Sequence, residues 1–65
     1  MIAVAFEKDS AVYIYDAKGQ QISFITLRGG AFLMSFTANN VNIADGKYIN
    51  IYNERGILTG TIRRL

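Results

Sequence analysis

Apolar and polar residues alternate with a period of two along nearly the whole chain, in short runs parted by turns too brief to hold anything but a hairpin. Successive side chains of a strand point to opposite faces, so this alternation predicts half-buried strands. No window of helix length sustains the i, i+3, i+4 spacing of a helix. Strands are expected over residues 2–7, 11–16, 20–27, 31–37, 40–44, 47–53 and 57–62. Short turns join antiparallel neighbours, because parallel pairing needs a crossover of about a dozen residues or more. The expectation is therefore an all-β fold: a small antiparallel meander of about seven strands, closed as a barrel, packed as a sandwich, or completed by another chain.

The turn chemistry agrees. Asp45-Gly46 suits a two-residue type I′ hairpin. The segments 16–19 (Asp-Ala-Lys-Gly) and 53–56 (Asn-Glu-Arg-Gly) suit type I turns closed by a left-handed glycine. Gly29-Gly30 marks the middle of the chain, and no proline confines any strand to an edge.

Size limits what such a meander can do alone. The 65 residues form one domain at most, and a domain this short buries only about 60% of the surface its unfolded chain exposes. Disulfides, metals or self-association usually make up the difference. Cysteine and histidine are both absent, which excludes disulfides and the common zinc and iron–sulfur sites. Self-association is left. A hydrophobic fraction of 51% argues against disorder. The longest uncharged stretch, residues 29–44, is too interrupted to span a bilayer as a helix. No basic leader precedes the first strand, and a soluble, cytoplasmic protein is the expectation.

Two segments line up without a gap: 12–19 (Val-Tyr-Ile-Tyr-Asp-Ala-Lys-Gly) and 49–56 (Ile-Asn-Ile-Tyr-Asn-Glu-Arg-Gly), each followed by a strand ending in isoleucine, Ile25 or Ile62. Upstream, residues 2–6 correspond loosely to 32–36, so the second unit has an extra strand over 40–44. The chain thus divides into units 2–28 and 31–65, either side of the glycine pair, as a duplicated hairpin would. The pattern Tyr13-x-Tyr15-Asp16-x-x-Gly19 resembles the hairpins of YD (Rhs-type) repeats and the blade strands of NHL-type β-propellers. In the second unit Asn50 replaces the first tyrosine and Asn53 the acid. A propeller needs at least about four blades of four strands, so the resemblance implies completion by oligomerisation. It assigns no functional residue.

No constellation for catalysis is present. Nucleophilic catalysis usually needs a neighbouring base, and three serines stand here without cysteine or histidine. Glu7, Asp9, Asp16, Asp45 and Glu54 all fall at turns or strand ends, where carboxylates cap and solubilise. Neither GxxxxGK[ST] nor a strand-to-helix GxGxxG occurs. The expectation is a non-enzymatic protein without cofactor or metal. Charges cancel locally except at Arg28, Arg63 and Arg64, which close equivalent strands. By alternation Tyr13 and Tyr15 oppose Val12 and Ile14, and Tyr48, Asn50 and Tyr52 oppose Ile49 and Ile51, so the tyrosines are expected on the more exposed face. Candidate binding residues are Tyr13, Tyr15, Tyr48, Tyr52, Arg28, Arg63 and Arg64. Exposed aromatic rows mark interaction surfaces, which points to a self-associating protein with a protein partner and no membrane. The alternative is single-strand nucleic-acid binding, by a basic groove with aromatic platforms. A net charge of +2 favours it less. A ligand site between copies is a third reading.

Overall fold

The computed structural model describes residues 1–64; Leu65 lies outside the described residues. Seven antiparallel strands form two sheets. The first is β1 (Val4–Lys8), β2 (Ala11–Tyr15) and β3 (Gln21–Thr26); the second is β4 (Phe32–Phe36), β5 (Asn40–Asp45), β6 (Tyr48–Asn53) and β7 (Leu58–Arg63). Each sheet is a simple meander in chain order, so consecutive strands are always neighbours. A single closed barrel is excluded, because the strands pair as two separate sheets.

The core lies between the sheets. Val12 and Ile14 are completely buried from one side and Val41 from the other, joined by Ala5, Ile25 and Ile43. Ile22, Leu33 and Tyr52 pack around them. Burial of an aliphatic side chain contributes about 1.5–3 kcal/mol, and with no buried polar side chain among the described residues this aliphatic contact is what holds the sheets face to face. Four polar links at the rim fix their relative position, one of them the Ile2 amide donating to the Ala38 carbonyl at 2.7 Å. Ser23 Oγ donates to the Glu54 carbonyl at 2.7 Å. The Leu33 amide donates to Glu7 Oε1 at 2.9 Å. The Met1 ammonium pairs with the Glu54 carboxylate.

The registers of the two sheets coincide at a constant offset of 37. Val4 pairs with Tyr15 and Phe6 with Tyr13 in the first sheet; Val41 pairs with Tyr52 and Ile43 with Asn50 in the second. The next ladder does the same: Val12 pairs with Ile25 and Ile14 with Ser23, against Ile49 with Ile62 and Ile51 with Gly60. Even the bulge recurs, between Ile14 and Tyr15 and between Ile51 and Tyr52. Strand β1 therefore corresponds to β5. The loose sequence match of residues 2–6 to 32–36 is replaced by 4–8 to 41–45, and the extra strand of the second sheet is β4 rather than β5. The loose match followed apolar content alone, whereas pairing register fixes equivalence.

The turns repeat as well. Asp16 Oδ1 accepts from the amides of Lys18 and Gln20 at 2.9 and 3.0 Å, and Asn53 Oδ1 accepts from those of Arg55 and Ile57 at 2.9 and 3.1 Å. Both turns end on a left-handed glycine, Gly19 or Gly56. An exposed net hydrogen bond contributes about 0.5–1.5 kcal/mol. Asp16→Ala is accordingly expected to cost about 1 kcal/mol in a urea melt, while Asp16→Asn stays near wild type because Asn53 already does that work. Equal losses for the two variants would show that charge, not the accepting oxygen, matters there.

The β5–β6 hairpin differs from its sequence-based expectation. Asp45 pairs with Tyr48, leaving Gly46 and Lys47 as the central residues, and only Gly46 has positive φ. This is the pattern of a type II′ turn, with glycine first. The type I′ pattern sits instead in the β1–β2 hairpin, where Asp9 and Ser10 have φ of 51° and 64°.

Candidate functional site

In an antiparallel ladder, residues paired across strands share a face. Registers and burial therefore sort each sheet into two sides. In the first sheet Val12, Ile14 and Ile25 face the core, and Val4, Phe6, Tyr13, Tyr15 and Phe24 face outward. The rings form a continuous surface. Phe6 stacks on Tyr15 at 5.5 Å and lies 5.8 Å from Tyr13, which is 6.2 Å from Phe24. Such contacts hold rings in offset or tilted arrangements at about 4.5–7 Å between centroids. Phe6 and Phe24 remain 40% and 57% exposed, and a hollow of about 240 Å³ opens among Phe6, Lys8, Asp9, Tyr13 and Tyr15.

The second sheet is turned the other way. Its core-facing side carries Val41, Ile43 and Tyr52, and with them, by register, Asn50 and Tyr48. Ile49, Ile51 and Ile62 lie on the outward side together with Phe32 and Ala44. The tyrosines thus do not form one surface. Tyr13 and Tyr15 sit on the outward face of the first sheet, Tyr52 packs against the core, and Tyr48 remains 48% exposed. What alternation could not supply was which side of each sheet meets the other.

Tyr52 borders a cleft between the end of β3 and the second sheet. It measures about 240 Å³, and Arg28, Asp45, Asn50, Tyr52 and Leu58 are among its walls. An adjoining hollow shares Arg28, Asp45 and Asn50 and adds Tyr48 and Thr61. The Thr61 hydroxyl donates to Asn50 Oδ1 at 3.2 Å. Arg63 pairs with Tyr48 across β6 and β7. Arg64 follows β7, its amide donating to the Lys47 carbonyl. The candidate residues therefore fall into two groups: Tyr13 and Tyr15 on the aromatic face, and Arg28, Tyr48, Tyr52 and Arg63 near the cleft, with Arg64 beside the latter.

Comparison with protein-family models, with curated proteins and with solved structures finds no match. The chemistry available is therefore that of the surfaces themselves. Of the carboxylates, Asp16 caps its own turn, Glu7 receives a backbone amide and Glu54 the N-terminal ammonium. Among the described residues no helix is long and apolar enough to cross a membrane.

Sequence reading missed Val4, Phe6 and Phe24 as partners of Tyr13 and Tyr15. A usable signal was present, since Val4-x-Phe6 and Phe24 alternate in phase with their neighbours. Linking them required the β1–β2–β3 register. The aliphatic outward face of the second sheet was missed because isoleucines on a strand read first as core.

Proposed function

We propose that this chain is a small non-enzymatic interaction protein that self-associates and works through protein contacts made by its outward sheet faces. The observation that carries this reading is the aromatic surface of Phe6, Tyr13, Tyr15 and Phe24 on a chain with a thin core. Aromatic residues are enriched at protein interfaces and lysines and glutamates depleted, and this face holds four rings beside one lysine, Lys8. A cytoplasmic setting fits a chain without cysteine.

Sedimentation over a wide range of protein concentration tests the reading. The average mass is expected to rise with concentration and the melting temperature with it. Added salt should leave the assembly intact, because apolar contacts are not screened. A monomer at every concentration overturns it. The nucleic-acid reading draws support from Arg28, Tyr48 and Arg63 near one cleft, yet Tyr13 and Tyr15 lie apart from them. It requires DNA or RNA retardation that weakens steeply with salt and with Arg63→Ala.

A further inference from the structure

We infer that copies of this chain stack head to tail, the aliphatic outward face of the second sheet seating on the aromatic outward face of the first sheet of the next copy. The inference rests on the self-association proposed above and specifies its geometry.

The contact inside the chain supplies the template. At the offset of 37, Val12, Ile14 and Ile25 correspond to Ile49, Ile51 and Ile62, and Val4, Phe6 and Tyr15 correspond to Val41, Ile43 and Tyr52. Call the first set of positions the front of a sheet and the second its back. Within the chain, the front of the first sheet packs on the back of the second. Two like-oriented units stacked front to back leave one back and one front open. The open back is Val4, Phe6 and Tyr15; the open front is Ile49, Ile51 and Ile62.

Burial at equivalent positions measures what is missing. Val41 and Ile43 are 0% and 2% exposed, whereas their counterparts Val4 and Phe6 are 48% and 40% exposed. Ile25 is 5% exposed and its counterpart Ile62 is 54%. The open surfaces have the residue types that already fit each other inside the chain: aliphatic side chains on the front, a valine and a tyrosine on the back. The open front has Ala44 and Gly60 where the covered front has Glu7 and Ser23, and Asn42 where the covered front has Ala5. Repeated units that cannot bury a face alone do so by stacking on neighbours.

An interface of this kind is heterologous: two different patches meet, and repetition builds a ring or an open stack. Radial arrays of four-stranded sheets usually close at about four to eight sheets, which corresponds to about two to four chains.

Charge placed on one face at a time tests the geometry on the full chain. Phe6→Lys blocks the open back and Ile62→Lys the open front; both sites are exposed, so each variant should keep its β-sheet circular dichroism. Alone, each variant is expected to lose all higher assembly by sedimentation and native mass spectrometry. Mixed, they retain one complementary pair of faces, the front of the Phe6→Lys chain and the back of the Ile62→Lys chain. The mixture should give a one-to-one heterodimer and nothing larger. If either variant fails to fold, Val4→Lys and Phe32→Lys replace it on the same face. A wild-type assembly that survives Ile62→Lys, or a mixture that stays monomeric, overturns head-to-tail stacking and leaves self-association standing. A monomeric wild type removes both.

Discussion

Ile14→Ala is expected to cost about 2–5 kcal/mol, the usual range for truncating a buried isoleucine. Ile14 is completely buried at the centre of the contact between the sheets, flanked by Val12 and facing the side of Val41. A chain of 65 residues carries a total stability of roughly 3–10 kcal/mol. The variant should therefore be largely unfolded, or melt far below wild type, when followed by circular dichroism in urea. Ile51→Ala is the matched control. Ile51 holds the equivalent position in the second sheet but faces outward beside Gly60, whose hypothetical Cβ lies 3.9 Å from its Cδ1. At high dilution its truncation should cost well under half as much. Similar losses at both positions under dilute conditions would mean that the core is not where burial places it.

The second large effect is expected at Gly56, in contrast to Gly19. Both glycines close the same turn with nearly the same φ, 79° and 80°. A left-handed conformation costs a non-glycine residue about 1–2 kcal/mol, so the backbone contribution to either alanine variant should be the same. The surroundings differ. A Cβ at Gly19 meets nothing within 4 Å, whereas one at Gly56 would stand 3.1 Å from the carbonyl oxygen of Phe24 and 3.5 Å from Ser23 Oγ. The 53–56 turn lies against β3, close to the Ser23–Glu54 hydrogen bond. Gly19→Ala should cost about 1–2 kcal/mol, and Gly56→Ala roughly 1 kcal/mol more. Equal losses in parallel urea melts would show that the turn is free to move away from the first sheet.

Much of this fold is legible in the residues because its strands are short, amphipathic and joined in order. The seven expected strands occur in place, with ends displaced by a residue or two: the ladder stops before the apolar run does at Ile2 and Leu27, and runs on to a charged residue at Lys8, Asp45 and Arg63. Gly19 and Gly56 take the left-handed conformation expected of them. Asp9-Ser10 escaped notice because neither residue is glycine, yet both accept positive φ in the tight β1–β2 turn. The candidate site was less legible. Alternation separates Tyr13 from Val12 and Tyr48 from Ile49, but it is symmetric between the two sides of a sheet. Only the packing of one sheet on the other decides that Val12 is inside while its counterpart Ile49 is outside. The phase of a strand is local information, whereas its orientation toward a second sheet is not.

The connection between the sheets sets more than their proximity. After β3 the chain turns through residues 28–31, with the Ala31 amide donating to the Arg28 carbonyl at 3.0 Å and Gly30 at φ 86°, the arrangement of a type II turn. In the stack proposed above, this short hinge bears on the angle between the two sheets of each chain, and through it on curvature. Curvature decides whether successive units return to their starting point or wind past it. If the proposed stacking holds, the conformation of a single glycine bears on how many chains a closed ring would need, a property that belongs to no individual chain and that neither its melting nor its core would reveal.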